Sequence, residues 1–163
     1  MDVREATSDD VNRIQYVHSE AIMELASAFY NQEQVKAWAE PVESANYDPE
    51  SEDYYYAVAE DDEQIVGFGS LRFDSPDGYE AAVDGEITGV YVHPKVARKG
   101  VGSKILSVLE ERARECGLAT LGLQSSMNAV SFYDHHGYNK IREITHEFGG
   151  CIEGPAMEMK KEL

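Results

Sequence analysis

One run, Val90-Tyr-Val-His-Pro-Lys-Val-Ala-Arg-Lys-Gly-Val-Gly-Ser-Lys-Ile-Leu106, restricts the fold of this chain more than any other part of it. Val90, Tyr91 and Val92 have the β-branched and aromatic character of a strand, and Pro94 closes it. Val101, Ile105, Val108, Leu109 and Ala113 then recur at helical spacing as far as Gly117, a residue suited to the left-handed position after a helix. Gly100 and Gly102 lie between strand and helix. A strand that passes through a glycine loop onto a helix brings free backbone N–H groups and the positive end of the helix dipole to one point. That is a cradle for a phosphate or pyrophosphate. It is not a P-loop, because GxxxxGK[ST] is missing, nor a dinucleotide fingerprint, because Ile105 replaces the third glycine of GxGxxG.

Charge supports the same reading. The 163 residues carry 31 Asp and Glu against 14 Lys and Arg, a formal charge of −17. Yet no acid falls between Ile87 and Leu109, where Lys95, Arg98, Lys99 and Lys104 do fall. A cationic island at a helix start, in so acidic a chain, is a site for an anion. The remaining surface excludes nucleic-acid binding at large. With 42 % hydrophobic residues there is material for a sizeable core, so disorder does not explain the acidity. The acids are dispersed from Asp2 to Glu162, which fits adaptation to high salt better than the alternative of an acidic partner-facing surface.

No apolar run approaches the ~18 residues of a membrane span, and Met-Asp-Val-Arg-Glu has no apolar signal core. Cys116 and Cys151 cannot build a disulfide framework. The expectation is a cytoplasmic protein without a membrane or nucleic-acid partner.

The pattern predicts one domain over residues 1–163. A strand covers Met1–Ala6; Ser8 offers an N-cap to a helix carrying Val11, Ile14, Val17, Ala21, Ile22 and Leu25. A second helix runs from Gln32 to Glu40, and Pro41–Asp53 is a surface loop. Tyr54–Ala59 and Gln64–Phe73 form a hairpin turning at Asp61-Asp62, and Ser75-Pro-Asp-Gly78 is a turn. After the strand Glu86–Val92 and the glycine-loop helix come a strand over Leu118–Gln124 and a short helix over Asn128–His135. Strands over Tyr138–Glu147 and Met157–Lys160 close the chain. Strands alternating with helices give a mixed α/β or α+β sheet.

These segments resemble the GNAT superfamily of acetyl-CoA-dependent N-acetyltransferases. The likeness is carried by Val90-Tyr-Val-His-Pro94 before a [Q/R]-x-x-G-x-[G/A] motif, by the opening R-x-A-T-x-x-D from Arg4, and by Asn128-Ala-Val-Ser-Phe-Tyr133 followed by Gly137-Tyr138. Ala97 departs from the motif's first position. The motif acts mainly through backbone amides, so function suffers less than the match. The resemblance implies a mostly antiparallel sheet of about seven strands, splayed at the fourth and fifth, with about four helices. It implies acetyl-CoA as co-substrate and no metal. Val90, Tyr91 and Val92 would pair with the pantetheine arm. Arg98, Lys99, Gly100, Val101, Gly102 and Ser103 would wrap the pyrophosphate, and Asn128 would contact the cofactor. A homodimer is a common assembly in that family.

Amine acetylation needs a neutral amine, a polarised thioester carbonyl and a proton for the departing thiolate. By the resemblance, the Val92 N–H would serve the carbonyl, Tyr133 would be the acid and Glu86 the base. The bland alternatives are a core tyrosine packed on Phe132 and Tyr138, and an exposed acid beside Gly85. His93 is a second candidate base. His135-His136 lack further metal ligands at suitable spacing and read as a helix end. Trp38 and Tyr54-Tyr55-Tyr56 fit an acceptor pocket or plain packing equally well, and Cys151 near Gly149-Gly150 is a bystander in the last inter-strand loop. The expected function is acetyl transfer to a primary amine, on a small molecule or a peptide. A non-catalytic acyl-CoA-binding domain is the alternative.

Overall fold

The computed structural model describes residues 1–39, 47–149 and 152–163. Seven strands, β1 (Asp2–Glu5), β2 (Tyr54–Asp61), β3 (Gln64–Arg72), β4 (Gly85–Val92), β5 (Thr120–Ser126), β6 (Asn139–Gly149) and β7 (Ile152–Glu162), form one mixed sheet in the order β1-β2-β3-β4-β5-β7-β6. All neighbours are antiparallel except β4 and β5. Among the described residues four α-helices accompany the sheet: α1 (Val11–Leu25), α2 (Gln32–Ala39), α3 (Val101–Glu115) and α4 (Val130–His135).

The alternation of side chains along β2 and β3 decides which helix covers which face. Val58 and Phe68 join Ile14 and Val17 of α1 in one cluster, while Ala57, Ala59 and Leu71 join Ile105, Leu106 and Leu109 of α3 in another. Ile105, Leu106 and Leu109 are fully buried, and each contributes roughly 1.5–3 kcal/mol by leaving water. Their fit requires glycine below them: a Cβ on Gly69 would stand 2.7 Å from Ile105 and 2.9 Å from Leu109. The α1–α2 pair forms its own small core from Ile22, Ala26, Tyr30, Val35 and Ala39.

Several local outcomes differ from the sequence reading. Thr7, rather than Ser8, caps the first helical turn, and the Asp10 carboxylate accepts its backbone N–H. The β2–β3 turn is Asp62-Glu63, both at positive φ, as a two-residue hairpin loop of primed type requires. α4 is preceded by a 3-10 turn over Met127–Ala129. β7 reaches well beyond Met157–Lys160. Glu40, the loop residues 41–46, Gly150 and Cys151 lie outside the described residues.

Candidate active site

β4 and β5 are hydrogen-bonded neighbours only at their bases, where Gly85 meets Leu121 and Glu86 meets Gly122. Asp84 pins that base: its Oδ2 accepts the N–H groups of Ala119 and Thr120, and its own N–H donates to Thr120. Above it the strands part. The β3–β4 register shifts between Ser70 and Leu71, leaving Thr88 as an extra residue in β4, and a bulge of this kind bends its strand and increases twist. The His93 N–H donates to Val66 C=O, and the antiparallel alternation therefore commits Tyr91 to Phe68 across the ladder. By the same alternation, the N–H and C=O groups of Val90 and Val92 turn toward the gap. An extended ligand can pair there as a strand would; the Tyr91 backbone is already engaged with β3.

The glycine loop sits at the upper end of that gap. His93 Nδ1 accepts the Lys95 N–H, and Pro94–Val96 make one 3-10 turn. Arg98 and Gly100 then take positive φ, at 63° and 80°, swinging the chain into α3. The first α3 backbone bond runs from Lys104 N–H to Gly100 C=O, so the N–H groups ahead of it are not spent within the helix. Helix starts usually attract acids, yet the first turn of α3 contains none. Arg98, Lys99 and Lys104 are exposed beside it. Gly102 faces Phe132 of α4 and Val92 of β4, with 3.3 Å and 3.6 Å from its missing Cβ to those side chains. Its lack of a side chain keeps the junction of α3, α4 and the gap open. His136 braces the junction: its Nδ1 lies 2.7 Å from Phe132 C=O, so that nitrogen donates, and its Nε2 lies 2.9 Å from Ser103 Oγ. The sequence marks His135-His136 only as a helix end, because Ser103 is far away along the chain.

Below the loop lies a cavity of about 250 Å³. It brings Glu86, Tyr133 and Trp38 to one wall system, together with Gln124, Ser125 and His146. Tyr54, Tyr55 and Tyr56 do not line it. Tyr133 is buried, its ring edge-on to Phe132 and Tyr138. Burial pushes its hydroxyl well above the ordinary phenol range and Tyr91 adds to this, while the Val90 N–H opposes it. Burial also raises the Glu86 carboxyl, against hydrogen bonding from Tyr79 and the charge of Arg72. His146 is lowered by partial desolvation. Asn128, on the other side of Val90 and Val92, leaves its Oδ1 buried without a partner among the described residues. That orphaned acceptor, the unspent α3 amides and the outward amides of β4 together suit a ligand with an anionic end and an amide-bearing arm.

α2 closes the remaining side. Tyr30 Oη donates to Pro155 C=O at 2.5 Å and accepts the Met127 N–H at 2.8 Å. Gln34 donates to Glu153 C=O. Trp38, edge-on to Tyr30, is thereby held over the cavity. Among the described residues, no group of three or more His, Cys, Asp or Glu side chains is placed to hold a metal ion, and no helix is long and apolar enough to cross a membrane.

The acetyltransferase (GNAT) family matches residues 19–138. The L-methionine sulfoximine/L-methionine sulfone acetyltransferase of Salmonella typhimurium is 31 % identical, over 98 % of this chain and 94 % of its own. Among solved structures, a GCN5-related N-acetyltransferase from Rhodopseudomonas palustris superposes with a TM-score of 0.84 at 25 % identity, covering 99 % of this chain and 95 % of its own. The yncA protein of Salmonella typhimurium, solved with its cofactor acetyl-CoA, superposes at 0.63 with 25 % identity, covering 99 % and 93 %.

Proposed function

The chain belongs to the acetyltransferase (GNAT) family and is an N-acetyltransferase, and on that premise we propose that it moves acetyl from acetyl-CoA to the α-amine of a small amino-acid-like acceptor. The single observation that carries this reading is the one cavity, about 250 Å³, shared by Glu86 and Tyr133 at the foot of the β4–β5 gap. The Salmonella relative named for acetylating methionine sulfoximine and sulfone supports an amino-acid scaffold for the acceptor.

Acetyl-CoA supplies an activated thioester. Its pyrophosphate suits the amides from Gly100 to Ser103, with Arg98 and Lys99 beside them; its pantetheine arm suits Val90, Val92 and the orphaned Asn128 Oδ1. The Val92 N–H donates to the carbonyl oxygen as negative charge grows there. Glu86, made more basic by burial, takes a proton from the attacking nitrogen directly or through water. The N–C bond forms, the C–S bond breaks, and the Tyr133 O–H protonates the sulfur. The phenol is protonated at neutral pH and so has a proton to give, while burial makes it a weaker acid than a free tyrosine.

The test is release of free CoA thiol, with mass detection of the acetylated product, over a panel of amino acids, polyamines and peptides. Tyr133→Phe is expected to lower kcat by about 10²-fold with CoA affinity nearly unchanged. Equal turnover would return Tyr133 to the core. CoA binding without turnover of any amine would favour a non-catalytic acyl-CoA-binding domain.

A further inference from the structure

A half-buried tyrosine that the mechanism above does not use stands behind Glu86. Tyr79 Oη donates to Glu86 Oε2 at 2.5 Å. Its ring packs onto β5 at Gly122, where a Cβ would come within 2.9 Å of Tyr79 Cε1. The loop carrying it is tied down by an unusual group. Glu158 on β7 is fully buried, and its two oxygens accept the N–H groups of Glu80 (3.0 Å) and Ala81 (3.2 Å) and the Arg142 Nε (3.1 Å). Arg142 also donates to Gly78 C=O. Three donors hold the Glu158 carboxyl below its usual range despite burial. A buried carboxylate is retained at such a place only when it is fully paired, and here its pairing fixes residues 78–81 over the base of β4 and β5.

We propose that Tyr79 is the positioning residue of the acceptor site, its hydroxyl committing Glu86 Oε2 so that Oε1 is left to take the amine proton. The proposal rests on the reading of Glu86 as the base. Four other titratable groups bear on Glu86: Arg72 and Asp74 at the end of β3, which are ion-paired to each other, and Tyr133 on α4 and His146 on β6, which share its cavity. Arg72, paired with Asp74, acts on Glu86 through its charge; the tyrosine is the neutral donor that stabilises the charged base by a hydrogen bond. Removing that donor destabilises the carboxylate and raises its proton affinity. The acidic limb of kcat/KM therefore moves to higher pH.

The experiment is the pH profile of kcat/KM for the parent, Tyr79→Phe, Glu86→Gln and the double variant, with the acceptor found above. Tyr79→Phe keeps the ring and is expected to lower kcat/KM roughly tenfold, part of what general base catalysis supplies, with its acidic limb displaced upward. The CoA-induced rise in Tm reports that it folds. A fluorinated tyrosine at position 79, a more acidic donor, displaces the limb downward. Glu86→Gln abolishes the limb, and the double variant equals it. A Tyr79→Phe profile that overlays the parent, or one lowered equally at every pH, overturns the positioning role. If Glu86→Gln keeps the parent limb, the base assignment itself has failed, and the single variants tell the two failures apart.

Discussion

His18 is a case where burial alone sets the behaviour of a side chain. On α1 its ring lies 4.1 Å from Tyr91 and 5.5 Å from Phe68, its Nδ1 meets Tyr47 Oη at 2.6 Å, and its Nε2 has no partner among the described residues. Desolvation lowers its pKa to about 4, against about 6.5 in an unfolded chain. The unfolded state therefore takes a proton as pH falls below about 6.5, and the native state does not until about 4. Stability present at pH 7 is lost across that window, by at most about 1.4 kcal/mol per pH unit. The Asp10 carboxyl, held low mainly by Arg4, exerts its own effect only below its ordinary range. His18→Gln is expected to be weaker than the parent at pH 7 but to decline less from pH 7 to 5, measured as urea midpoints. Parallel declines would assign the acid sensitivity elsewhere. Residues of this kind are not legible in sequence. The glycine loop can be singled out because strand, loop and helix are contiguous around it; Tyr133 and Glu86 can be singled out through the family resemblance alone. His136 and Glu158 cannot, since Ser103 and the Glu80–Ala81 amides are brought to them only by the folded chain, and no local pattern marks Tyr79, seven residues before Glu86.

α3 can be read almost residue for residue, from Val101 to its stop at Gly117, because its apolar spacing and its flanking glycines agree. β7 is longer than its sequence pattern suggests. Gly154 and Pro155 look like breakers, yet they sit where β5 has already ended, beyond the pairing of Ser126 with Ala156. A proline without an N–H is tolerated where no ladder partner needs one. The start of α3 bears its own prediction. Gly102→Leu keeps a helix-compatible backbone but places a side chain against Phe132 and Val92, filling the approach to the unspent amides. The variant is expected to fold and to lose the rise in Tm that CoA gives the parent, since a ligand that binds only the native state stabilises it. An undiminished rise would remove the cradle from this helix start.

At −17 over 163 residues, like charges crowd the whole surface, and their repulsion opposes compaction. Salt shortens the screening length from about 10 Å at 0.1 M to about 3 Å at 1 M. The urea or thermal midpoint is therefore expected to climb steeply across a KCl series, with sucrose as the control for solute exclusion. A flat midpoint from about 0.1 to 2 M, where screening is already strong, would turn the acidity into a partner-facing surface instead. Dispersed charge is a property of the list of residues and is legible at once. The parting of β4 from β5 is not, because it depends on Thr88 falling out of register with β3. That parting divides the sheet into β1–β4 and β5–β7–β6, joined through two residue pairs and the Asp84 clamp. The seam carries the fewest ladder pairs in the sheet, while one apolar core, from Ala57 and Leu71 to Leu121 and Met159, spans it. A ligand lying along Val90 and Val92 supplies the missing ladder and welds the two halves. Exchange of those amides with solvent, and the exposure of the whole fold to proteolysis, are then governed by how much ligand the surroundings contain.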